Sequence, residues 1–106
     1  MATQRKKLFI VNVDSEATKD QRDAFTTFLR SKHSNGGCWH HLPFTWLIAD
    51  PVGALKAVAL RDRLKVMMPG VTTLVVEVAP QDWATLASKA AQGWLEKYLT
   101  RGNWTD

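Results

Sequence analysis

One cysteine, Cys38, stands among the 106 residues, which excludes an internal disulfide and any cysteine-rich zinc site. No apolar run approaches the roughly 20 residues that span a bilayer. The first residues, Met-Ala-Thr-Gln-Arg-Lys-Lys, are basic but lack the apolar stretch and small-residue cleavage site of a secretory signal. A reducing cytoplasm is therefore the expected location. There is no glycine-rich phosphate loop, nucleophile elbow or zinc-protease helix. Repeats, linkers and low-complexity tracts are missing too. So are an aromatic-rich RNA signature, an arginine-rich tail and a helix loaded on one side with lysine.

What is present fits a folded domain. A hydrophobic content of 45% lies far from the regime of disorder, and the length suits one domain with a real core. The net charge of +4 gathers in two places. Arg5, Lys6 and Lys7 form one cluster, and Arg61, Arg63 and Lys65 form another around Asp62. Either is a candidate nucleic-acid contact through phosphates; the alternative is a solvated face that keeps the protein soluble.

The organising stretch runs from Gly36 to Asp50 and holds two tryptophans, two histidines and the cysteine. It reads as a strand, a tight reversal at Pro43 and a second strand. Asp50-Pro51 then looks like a helix start, with a capping carboxylate and Pro in the first turn.

Before the hairpin, residues 8–13 form a strand that is apolar on both faces, which places it inside a sheet. Thr18 and Gln21 make a capping box for a helix to about His33, with Ala24, Phe25, Phe28 and Leu29 as its apolar stripe. Ser34-Asn-Gly-Gly ends it. The second helix runs from Asp50-Pro51 to about Met68 and carries two stripes: Val52, Leu55, Ala59 and Val66, and Ala57, Leu60, Leu64 and Met67. The second stripe implies a further contact. Residues 71–79 form a β-branched strand in which Glu77 is the odd residue. A helix over 82–99, opened by Pro80-Gln-Asp-Trp, shows Trp83, Leu86, Ala87, Ala90, Ala91, Trp94 and Tyr98 on one face. Gly102 closes it, leaving a tail over 102–106; residues 1–6 form a basic arm.

This order is met economically by a ferredoxin-like split βαβ domain, an α/β (α+β) fold spanning 1–106, with an added C-terminal helix. Strands one and three are expected side by side and parallel. The sheet face opposite the first two helices must then be covered by the terminal helix or by a second copy, so a homodimer is the expected assembly.

Parallel neighbours would bring Asp14 and Asp50 to the same end of the sheet. Two carboxylates there could share magnesium or manganese and activate water for phosphodiester cleavage, with Glu16 or Asn12 as a third ligand. The plainer alternative is a helix cap at Asp50 and a turn at Asp14. Adjacent on a strand, His40 and His41 point to opposite faces and cannot serve one site. His41 shares a face with Trp39, and His40 with Cys38 and Leu42. Cys38 reads as a small buried hydrophobe without a basic partner.

The run Cys38-Trp-His-His-Leu-Pro-Phe-Thr-Trp-Leu-Ile48 resembles the Trp-His-x-Leu-x-Ser-Thr-Trp-Ile-Val segment of the small SinR-like proteins. Those are similar to the small CRISPR-adaptation subunits and, more distantly, to VapD-type toxin ribonucleases. Leu74-Val-Val-Glu-Val78, then Trp83 and Trp94, extends the likeness to about two thirds of the chain. The resemblance implies a ferredoxin-like homodimer, either a metal-dependent nuclease with an Asp just after strand one or an inactive structural subunit. Asp14 is the matching catalytic residue. Relatives usually read Tyr-Asp there, whereas this chain reads Asn12-Val13-Asp14, so Asn12 is the alternative; Phe44 stands where they have Ser.

Two functions follow. One is a nucleic-acid-associated homodimer, a metal-dependent ribonuclease or deoxyribonuclease using Asp14 and Asp50. The other is a non-enzymatic dimerisation or interaction module whose Trp-rich surface docks a protein. A small-molecule cleft under the terminal helix has only abundant aromatics in its favour. No membrane partner is expected.

Overall fold

Burial on both faces makes β1 (Lys7–Val13) an inner strand, as its apolar pattern implies. The computed structural model describes residues 7–32, 37–79 and 84–99. After β1 come α1 (Lys19–Lys32), β2 (Cys38–Leu42), β3 (Thr45–Asp50), α2 (Ala57–Met67), β4 (Thr73–Val78) and α3 (Lys89–Leu99). The fold is mixed α+β, with a four-stranded sheet in the order β2-β3-β1-β4. Every neighbouring pair is antiparallel.

That pairing corrects the expected parallel arrangement of β1 and β3. The connection through α1 returns the chain so that β2 runs with β1, one place removed. The tight turn at Pro43-Phe44 then reverses it, and β3 fills the gap running against β1. Adjacency is as expected, and the direction follows from the α1 connection and the Pro43 reversal taken together.

Alternation along each strand sorts the core into two layers. Phe9, Val11, Trp46 and Ile48 face Phe25, Leu29, Leu60, Leu64 and Met68 from the α1–α2 side. Leu8, Trp39, Leu47 and Ala49 face Ala91, Leu95 and Leu99 of α3 on the other side. The terminal helix thus supplies part of the cover that the second sheet face requires.

Local chemistry explains where the helices begin. At α1 the capping box forms as expected: Thr18 N–H donates to Gln21 Oε1 at 2.9 Å, and Gln21 N–H to Thr18 Oγ1 at 3.1 Å. Within α1, Phe25 and Leu29 are buried and Phe28 half-buried, but Ala24 is exposed. Asp50 does not start α2. Gly53, at φ 84, breaks the helical path, and α2 begins only after Lys56. Leu60 and Leu64 of the second stripe are buried, whereas Val66 is 73% exposed.

α3 likewise starts later than expected, with residues 84–88 irregular. Ser88 wins as the cap: its Oγ accepts from Ala91 N–H at 3.3 Å and its carbonyl from Gln92 N–H at 2.9 Å. The buried stripe becomes Ala91, Leu95 and Leu99, while Leu86, Ala87 and Ala90 are exposed. The N-terminal arm, the 33–36 helix end, Trp83, the side chain of Tyr98 and the 102–106 tail lie outside the described residues.

Candidate functional site

Asp14 follows β1 beside the hairpin turn. Val13 N–H donates to Phe44 O at 3.0 Å and Asp14 N–H to Thr72 O at 2.9 Å, so two loops hold the backbone here. The Asp14 carboxylate turns on its own neighbour, accepting from Ser15 N–H at 2.6 Å and Ser15 Oγ at 3.3 Å. The Arg22 guanidinium stands 4.5 Å from the Phe44 ring centroid. Asn12 is engaged as well: its Oδ1 accepts from Thr45 Oγ1 at 2.6 Å.

Asp50 lies at the opposite end of the sheet. It pairs with Lys7 across the β1–β3 ladder, whereas Asp14 lies beyond the far end of β1. At about 3.3 Å per residue, the two carboxylates are roughly 20 Å apart. Both Asp50 oxygens are also occupied, Oδ1 by Val52 N–H at 3.1 Å and Oδ2 by Leu55 N–H at 2.7 Å. Lys7 Nζ donates to Leu55 O at 3.0 Å, closing the same loop. Asp14 and Asp50 of one chain therefore do not fit a shared magnesium or manganese ion, whose oxygen ligands lie within about 2.0–2.2 Å. Among the described residues, no three of His, Cys, Asp and Glu gather as a metal-binding group.

The hairpin aromatics are structural. The His40 ring stacks on Trp46 at 4.3 Å and 4°, with Nδ1 2.9 Å from Thr45 O. His41 lies 5.2 Å from Trp39 on the other face, as strand alternation implies, whereas the bulge after Trp39 moves Leu42 from the expected His40 face to that of Trp39. Cys38 does have a basic neighbour, Arg30 of α1, which sequence spacing could not reveal. Burial pushes the thiol above its ordinary value, and Arg30 offsets part of that rise. Because the thiolate is the reactive form, Cys38 is expected to alkylate with iodoacetamide severalfold more slowly than free cysteine at mildly alkaline pH. A thiol-consumption time course checks this.

Among the described residues, the basic side chains of the two clusters do not form one patch. Arg61 pairs with Asp62 at 2.8 Å and lines a depression beside β4, whereas Arg63 lies against Phe28 of α1. Lys65 is exposed. Lys7 is committed to the Leu55 carbonyl, and Arg5 and Lys6 lie outside the described residues.

The conspicuous surface is the part of the sheet that α3 leaves open. Rows across the strands show it: Ala49, Leu8 and Val78 lie level, then Leu47, Ile10 and Val76, then Leu42, Thr45, Asn12 and Leu74. The first row is under α3; the last is not. Leu74 is 58% exposed, Leu42 53% and Val76 42%. Leu74 and Val76 belong to β4, an edge strand among the described residues. The other edge, β2, is interrupted by a bulge between Trp39 and Leu42, whereas β4 pairs with β1 without a break. β4 carries neither Lys nor Pro, and its one charge is the exposed Glu77 near its end. Sequence reading missed Leu74 and Val76 because a β-branched strand looks the same whether or not both faces are covered.

No helix among the described residues is long and apolar enough to cross a membrane. Compared with protein-family models, with curated proteins and with solved structures, the chain matches none.

Proposed function

We propose that this chain is a ferredoxin-like interaction domain that pairs with a second copy of itself through β4. The observation carrying this reading is an edge strand, among the described residues, that bears exposed Leu74 and Val76 and a single charge, Glu77. An antiparallel strand laid against its own copy about a two-fold axis satisfies main-chain groups on both chains, and the same residues face each other. The depression of about 320 Å³ lined by Ala57, Val58, Arg61, Thr73, Leu74 and Val75 lies along that edge and enlarges the contact. The split βαβ order supports the ferredoxin-like assignment, and the resemblance to the SinR-like group, with its homodimers, points the same way.

The nuclease reading loses its shared ion because β1 and β3 run in opposite directions. Magnesium-dependent cleavage of RNA or DNA that disappears in Asp14→Ala would restore it and overturn the non-catalytic reading.

The wild-type chain is expected to sediment as a dimer at about 100 μM, a concentration adequate for micromolar affinity. Leu74→Lys with Val76→Lys should sediment as a monomer with an unchanged circular dichroism spectrum. A monomeric wild type, or a double variant that remains dimeric, removes the proposal.

A further inference from the structure

We propose that the cleft between α1 and α2 is a docking groove for an acidic peptide segment carrying one apolar anchor side chain. The cleft is a shallow, solvent-open depression of about 370 Å³ lined by Phe28, Lys32, Leu55, Ala59, Leu60 and Arg63. Its floor is apolar, with Leu60 buried and Phe28 and Leu55 half-buried. Its charges are all positive: Lys32 on the α1 wall and Arg63 on the α2 wall. Neither has a carboxylate partner among the ion pairs of the described residues. The Arg63 guanidinium is held 4.5 Å from the Phe28 ring centroid, which limits the side-chain freedom it would lose on meeting a carboxylate.

Complementary charge and shape select the occupant. Exposed Lys32, Ala59 and Arg63 leave the cleft open to solvent, so a small molecule would not gain the enclosure that such ligands need. A peptide presents only one face, with an apolar side chain on the floor and acidic neighbours at the two cations. Nucleic acid calls for a line of cations, but Arg61 is turned to the β4 flank and paired with Asp62. The groove shares no lining residue with the depression along β4, so it does not depend on pairing through that strand.

The test uses the full chain and a fluorescein-labelled peptide with one leucine flanked by glutamates. Fluorescence anisotropy should show binding that weakens with salt, with NMR shifts centred on Phe28, Leu55 and Leu60. Arg63→Glu should lower the affinity by about tenfold or more with an unchanged circular dichroism spectrum, while Lys89→Glu on α3 leaves the affinity unchanged. Equal binding of a lysine-flanked peptide, or an unaltered affinity in Arg63→Glu, would overturn the proposal. So would a labelled single-stranded RNA that produces these shifts where the peptide does not.

Discussion

Trp46→Ala is expected to bring the domain close to unfolding, at a cost of about 3–5 kcal/mol. Trp46 is fully buried in the α1–α2 layer, meets Phe25 edge-on at 5.0 Å and carries the His40 ring on its face. Its indole N–H donates to Thr26 Oγ1 at 3.0 Å, and that hydroxyl donates to Arg22 O at 3.0 Å. Truncation opens a cavity, releases His40 and removes the donor to a buried hydroxyl. Against a total stability of about 5–15 kcal/mol, that loss is decisive. Trp46→Phe keeps most of the apolar volume and leaves Thr26 bonded to Arg22, so it should cost about 1–2 kcal/mol. Urea melts of the two variants check the difference; equal midpoints would mean that the aromatic volume is not what holds this layer.

Trp39→Ala should act on the opposite layer. Trp39 is buried against α3, and its indole N–H donates to Ala91 O at 3.0 Å within that helix. With Ala91, Leu95, Leu99 and half-buried Trp94 from α3 in this layer among the described residues, the indole is its largest buried side chain. Its loss is expected to cost about 3–5 kcal/mol, concentrated in α3. Hydrogen exchange should therefore accelerate at Leu95 and Leu99 while Phe9 and Phe25 keep more of their protection. A uniform loss across both layers would show instead that the two cores open together.

Much of this architecture was legible because short-range chemistry specified it. The capping box at Thr18 and Gln21, the Pro43 reversal and the face shared by Trp39 and His41 all follow from spacing alone. The departures arose where long-range geometry or a competing local signal decided. Asp50 looked like a helix cap because Pro51 follows, but Gly53 redirected the chain and the carboxylate organised the loop instead. Ser88 overrode the earlier Pro80 signal. The acidic pair came from taking β3 to run with β1, although the α1 crossover and the Pro43 reversal together set it against β1; the Asp50 carboxylate is also taken up by its own loop. Arg30 beside Cys38 and the groove at Arg63 both depend on α1 contacts distant in sequence.

The central place of β1 also bears on how the chain comes together during synthesis. Leu8 pairs with Ala49 on one side and Val78 on the other, so this doubly apolar strand emerges long before either neighbour exists. Such distant pairings slow collapse to the native topology and lengthen the interval in which sticky segments are uncovered. A nascent polypeptide halted just after β3 would hold half of the required ladder, and its aggregation should cease only once β4 and α3 are both free of the ribosome.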